Sequence, residues 1–577
     1  MSLPINPFDS ERLIGTIIQV GPSSVRLNLP YAADPSPLLK HGRRVGAGEV
    51  GEFVVMECGD LAILGRILEV KLPEKDRLRV EPEPGEEHEV HPIGVVQLLA
   101  TIELDKGKVT SGISKYPRLG AMTYSAHPEL IKWLVETPDK LTGLDKKVTL
   151  QIAEIPRAER TFVKMTPEKL FGRHCAILGS TGGGKSWSLA RLLQEISSHN
   201  SKAILLDATG EFHTFNKRVK HAYLGYDSSP LVGSTEVVFP YSDLTEGDLF
   251  AIFSPSGQTQ APKLRAAMKS LKLLKIDPSL ANTQGLVNKA NQSWIKYNTA
   301  YSLNIKRIED STANFDISKL TKQIDLECVF PTNNSNPQHW GNPSEQERTY
   351  CVSMINRIED MISSSELACI FQPDGKPTIK EEIEEFLQDK DVSILRISLK
   401  FLPFEHNARE IVANAIGRHL LQLGRADKFK NKPLVVFVDE AHQFLNKNIG
   451  DEHSKYPLDS FSLIAKEGRK YCLSICISTQ RPRDIPEDVL SQMGTLIVHR
   501  LTTDRDREVV ERASGDIDKS AAAFLPTLGP GEAVIIGVDF PIPLSIKIEP
   551  PEFEPDSQGP DFQKNWCNDE GVSGESS

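Results

Sequence analysis

Cysteine is scarce, with eight in 577 residues, at positions 58, 175, 328, 351, 369, 472, 476 and 567. No two form a C-x-x-C pair, and no histidine pair joins them at zinc-ligand spacing, which argues against a zinc finger or a disulfide scaffold. Reduced, structural thiols are expected, as in a cytosolic compartment. No apolar run approaches the roughly 20 residues that a bilayer span needs. The start, from Met1 to Ser10, lacks the basic flank and apolar core of a signal peptide. The expected compartment is therefore the cytoplasm. No internal repeat is present. Positive charge is not in excess, since 67 Lys and Arg face 78 Asp and Glu, a net charge of −11. That excludes a protein that coats nucleic acid with its whole surface, but not one with a local basic channel. Hydrophobic residues at 39% and charged residues at 25% are ordinary for a soluble chain. At about 100–200 residues per domain, this length implies three or four domains.

Hydrophobic patterning divides the chain. Ile14–Leu29, Glu52–Met56, Leu61–Val70 and Gly94–Leu104 read as short β-runs separated by turn residues, the pattern of a small barrel. Residues 1–160 are assigned to this barrel and a connector. From 161 to 245 and again from 389 to 540, strand–helix alternation predicts an α/β core with a parallel sheet. The expected strands are His174–Leu178, Ala203–Asp207, Ser393–Leu399, Leu434–Val438 and Leu473–Ser478, with Val534–Val538 a sixth. A helix is expected over Ser186–Ser198, with Leu189, Leu192, Leu193 and Ile196 on one face, and another over Asn407–Gln422. Residues 246–388 break the alternation and read as a helical insertion. Residues 541–577, rich in proline and acid, read as an extended and partly disordered C-terminal extension.

Gly179-Ser180-Thr181-Gly182-Gly183-Gly184-Lys185-Ser186 fits G-x-x-x-x-G-K-[ST], after a strand and at a helix start. Glycines let backbone N–H groups converge on phosphate oxygens, and the helix N-terminus favours the anion. Residues Gly179 to Trp187 are the candidate ATP-binding segment. Lys185 is expected to reach the β- and γ-phosphates, and Ser186 to ligate Mg²⁺. In Leu434-Val-Val-Phe-Val-Asp439-Glu440, an apolar run ends in two acids at the edge where α/β ligands bind. Asp439 is the candidate Mg²⁺ partner, and Glu440 the candidate base that orients the attacking water. Asp207 is a further metal or water candidate, with a turn-forming aspartate as the alternative. Arg469 and Arg173 are candidates for countering charge on the leaving phosphoryl group, and Gln480 for sensing the γ-phosphate. For each of these three, an ordinary surface or strand-end residue is the competing reading. His442 reads as an ordinary helix-start histidine.

Taken together, these segments resemble the HerA family of hexameric ATPases, relatives of the FtsK DNA pumps. The likeness rests on Arg173–Ser186, Asp207–Glu211, Asp439–His442, Ser478–Pro482, and Asp488–Gln492 with the strand ending at Arg500. It spans about 1–245 and 390–545, and the N-terminal β region resembles the barrel that such proteins place before the ATPase core. The resemblance implies a RecA-like P-loop NTPase core, a homo-hexamer with ATP at subunit interfaces, and duplex DNA in the pore. By the same analogy, Arg469 and Arg173 serve a neighbour's nucleotide.

Two clusters are candidates for the basic pore, Lys217 and Arg218 with Lys220, and Lys447 with Lys455. A solvated charged loop is the alternative for each. Two functions follow. One is an ATP-driven translocase or helicase acting on duplex DNA with a partner nuclease or effector, in end resection or antiphage defence. The other is an ATP-regulated platform that recruits a nuclease or a sirtuin-like NAD-hydrolysing effector to the N-terminal barrel.

Overall fold

The computed structural model describes residues 3–557, 562 and 566, apart from 33–38, 41–42, 45–47, 73–90, 137–147, 157–160, 313, 374, 446, 450–455 and 515–518. The chain divides into two compact units, Met1–Glu195 with Thr479–Glu549, and Ile196–Ser478 with Pro550–Ser577.

The first unit opens on a closed barrel of six antiparallel strands. These are Leu13–Val20, Ser24–Asn28, Phe53–Cys58, Leu61–Lys71, Ile93–Glu103 and Met122–Ser125. The pairing of Ser24–Asn28 with Ile93–Glu103 completes the ring. Alternation places the core: Val96, Leu98, Ala100 and Ile102 turn inward along one strand and pack with Ile14, Leu27, Met56 and Ile63. Met122–Ser125 and the appended strand Lys108–Ser111 escape sequence reading because they are four residues long and carry little apolar period.

The remainder of this unit has six strands in the order Phe162–Met165, Leu150–Glu154, Leu544–Ile548, Glu532–Gly537, Thr495–Val498, Cys175–Leu178. The last two are parallel and the others antiparallel. Three expectations are corrected here. Leu150–Glu154, expected in the barrel connector, belongs to this sheet, where it pairs with Phe162–Met165 and Leu544–Ile548. The strand near 534 is antiparallel to Thr495–Val498, although helices Asp504–Ala513 and Lys519–Phe524 lie between the two in the chain. Residues 544–548, expected in the extension, form a strand that lies between Leu150–Glu154 and Glu532–Gly537 and pairs with both.

 Arg191 fastens this arrangement, donating to the Gln151 carbonyl at 2.6 Å and pairing with Glu195 and Glu549.

The second unit carries six parallel strands in the order Leu473–Thr479, Leu434–Val438, Lys202–Asp207, Ile394–Phe401, Val219–Gly225, Thr235–Glu236. Lys202–Asp207 is buried throughout, as a strand covered on both faces must be. Val219–Gly225 was not expected, because its first half, Val-Lys-His, is polar and half-exposed.

Residues 246–388 are helical as expected, from Glu246–Phe253 and Gly257–Ile276 to Glu345–Ser363 and Ile379–Gln388. Asp248 ties this segment to helix Ala408–Arg425. Its backbone and side chain form a capping box with Thr245, and its fully buried carboxylate pairs with Arg418. Removing one partner of such a pair leaves a buried charge alone. Asp248→Ala, which also removes the cap, and Arg418→Met, which strands the fully buried carboxylate, are each expected to lower the unfolding free energy by about 3–5 kcal/mol, read from the urea midpoint.

Candidate functional site

In the first unit, Cys175–Leu178 delivers the chain to Gly179, and helix Lys185–Ser197 begins inside the motif. The loop between them is held by backbone hydrogen bonds. Ser180 donates its N–H and its hydroxyl to the Arg500 carbonyl, both at 2.9 Å. Gly184 has φ +107°, and a Cβ there would press to 3.2 Å on Gly531, so only glycine fits. Lys185 is buried, with Nζ 3.3 Å from the Ser180 carbonyl. Thr181 donates to Gln480 Oε1 at 2.5 Å, so the expected sensor does meet the loop. Ser186 and Trp187 are half-buried in the first helical turn.

Sequence reading missed His499, which is fully buried behind the loop. Its Nε2 lies 2.7 Å from Ser188 Oγ and its Nδ1 2.9 Å from the Glu532 carbonyl. Burial, aided by Lys185, pushes the imidazole down to about 4. Its only signal was position, one residue past an apolar strand.

In the second unit, Leu206 and Val438 are paired, so Asp207 and Asp439 end neighbouring strands. Burial drives the Asp439 carboxyl well above the usual carboxylate range, reinforced by Asp207, Glu440 and Glu211. Glu440 has φ +46°, left-handed for a non-glycine residue, a strain that recurs at functional sites. His442 lies in the helical turn Ala441–Gln443 as expected, with its Nδ1 3.3 Å from Glu440 Oε2, a separation that becomes an ion pair when the imidazole is protonated. Asp207 is corrected toward its turn-forming alternative. Its oxygens accept from the Gly210 and Phe212 N–H groups at 2.7 and 3.1 Å and from Arg396 Nε at 2.7 Å.

Arg469 is exposed and makes no side-chain hydrogen bond or ion pair among the described residues. Arg173 is exposed and faces Asp539 at 3.9 Å. The first basic cluster is largely corrected. Arg218 donates to the carbonyls of Ser197, His199, Lys390 and Asp391, and Lys220 pairs with Glu382 and Glu385. Only Lys217 of the three is exposed and unpaired among the described residues. Lys455 and the side chain of Lys447 lie outside the described residues.

The model of the helicase HerA central domain matches residues 150–420, and that of the helicase HerA-like C-terminal domain matches 418–550. The chain belongs to the HerA family. As a HerA-family protein it is an ATP hydrolase with a P-loop NTPase fold. The matched range includes 246–388, so the helical segment falls within the central domain rather than outside it. "Probable helicase MJ1565" of Methanocaldococcus jannaschii is 24% identical over 525 residues, covering 87% of this chain and 86% of that protein. "Probable DNA double-strand break repair helicase HerA" of the same organism is 25% identical over 409 residues, covering 69% and 76%. Among solved structures, the plasmid coupling protein TrwB in complex with ADP and Mg²⁺ overlays with a TM-score of 0.42 at 16% identity, covering 74% of this chain and 92% of that one. No helix among the described residues is long and apolar enough to cross a membrane.

A group with a lowered pKa in the folded state destabilises that state as pH falls toward the folded value. His499 titrates near 6.5 when unfolded and about 4 when folded. Stability is therefore expected to fall between pH 6.5 and 4, and to fall less in His499→Gln, as thermal melts across that range would register.

Proposed function

We propose that this HerA-family ATPase forms a homo-hexameric ring that couples ATP hydrolysis to movement along duplex DNA. The observation that carries the reading is Arg469, an exposed arginine without a side-chain partner among the described residues, in a protein that also has a glycine-rich loop at a helix start and strand-end acids. Such an arginine suits a neighbour's nucleotide.

On this reading, the amides of Gly179–Ser186 and Lys185 hold the β- and γ-phosphates. Glu440 orients and polarises the attacking water, and Gln480, through Thr181, reports whether the γ-phosphate is present. Arg469, with Arg173 as a further candidate, counters the charge that develops as the phosphoryl group leaves. The donor set fits magnesium: a hydroxyl at the helix start and a carboxylate crowded by other acids. Ser186 and Asp439 would hold the ion, which would neutralise phosphate charge when bound. The relatives named as DNA double-strand break repair helicases support a role on DNA; a nuclease or other effector seated on the barrel, in end resection or antiphage defence, extends that reading.

A second reading, an ATP-regulated platform that recruits a nuclease or a sirtuin-like NAD-hydrolysing effector, is favoured by the engagement of Arg218 and Lys220. These residues are lost to the expected basic channel.

Three results are expected. Lys185→Ala weakens nucleotide binding. Glu440→Gln binds ATP but turns it over at least about 100-fold more slowly. Arg469→Ala binds ATP but hydrolyses it poorly, and mixing it with Glu440→Gln restores some activity through composite interfaces. Steady-state hydrolysis with and without duplex DNA separates the two functions; no stimulation by DNA removes the translocase reading.

A further inference from the structure

We propose that His499 is a positioning residue for the phosphate loop, shaping it from behind so that its amides point at the anion. The proposal rests on the reading of Gly179–Ser186 as the ATP phosphate site.

Thr495–Val498 runs parallel to Cys175–Leu178, which sets His499 beside Gly179. The His499 N–H donates to the Leu178 carbonyl at 2.7 Å. A Cβ on Gly179 would lie 2.6 Å from His499 Cβ, one on Gly183 3.4 Å from the same atom, and one on Gly184 3.4 Å from Cε1. The loop therefore follows the contour of this histidine, and glycine at 179 is demanded by it as well as by phosphate.

The ring also has fixed polar partners. The Glu532 carbonyl can only accept, so Nδ1 carries the proton and Nε2 accepts from the Ser188 hydroxyl. Ser188 lies in the first turn of helix Lys185–Ser197, and Gly531, beside Glu532, donates to the Gly183 carbonyl at 3.4 Å. One side chain thus joins the helix start to the turn that closes over the loop. Without it, a loop that has almost no side chains to pack would have to be ordered when the nucleotide binds.

The test uses the full chain and a non-hydrolysable ATP analogue with magnesium. His499→Ala is expected to raise the Kd and the KM for ATP by about tenfold or more, with kcat at saturation changed far less. His499→Gln, whose amide oxygen can accept from Ser188, recovers part of the loss. Ser188→Ala shifts affinity in the same direction, and adding it to His499→Ala costs little more. If His499→Ala does not fold, Ser188→Ala alone carries the test. Wild-type affinity in the folded variants overturns the positioning role, whereas a wild-type protein that binds no nucleotide overturns the phosphate-site reading beneath it.

Discussion

A loop made of glycine, serine and threonine has nothing to pack with, so its shape must be imposed by its surroundings. Gly179–Ser186 takes its form from the chain around His499 and Arg500 and from the turn at Gly531. That constraint explains why the first unit needs both a parallel pair and an antiparallel extension. The parallel neighbour places His499 and Arg500 beside the loop, and the antiparallel strand Glu532–Gly537 brings Gly531 and Glu532 to it. Anion binding by backbone amides depends on amides that already converge, since ordering them afterwards would cost affinity.

The second unit poses the opposite problem, that of holding several acids close together at strand ends. Asp207 is neutralised by Arg396 and two backbone N–H groups and becomes part of the scaffold. Asp439 has no such arginine and is held above the usual carboxylate range by burial and its acidic neighbours. A bound cation would relieve that crowding, which is the physical case for a magnesium ligand there. Glu440, in a strained backbone and close to His442, is oriented before any substrate arrives.

The apolar runs of Leu434–Val438 and Leu473–Thr479 were legible because strands buried on both faces must be continuously hydrophobic. The phosphate loop was legible because few sequences place glycines, lysine and serine at that spacing after a strand. Leu544–Ile548 was not, because proline and acid around it suggested an extension, and its place between two strands depends on partners nearly 400 residues away. The basic cluster at 217–220 was misread for a related reason: a cation's partners are carbonyls and carboxylates brought up by folding.

Local pattern was thus available from the chain itself: which segment has the phosphate-loop spacing, which strand ends in paired acids, and which segments are strands or helices. Those features arise from neighbours within a few residues. Tertiary structure alone decided which charged groups remain free, that Asp207 serves a turn, and that a buried histidine backs the loop. Burial and pairing are set by residues distant in sequence, and no local pattern records them.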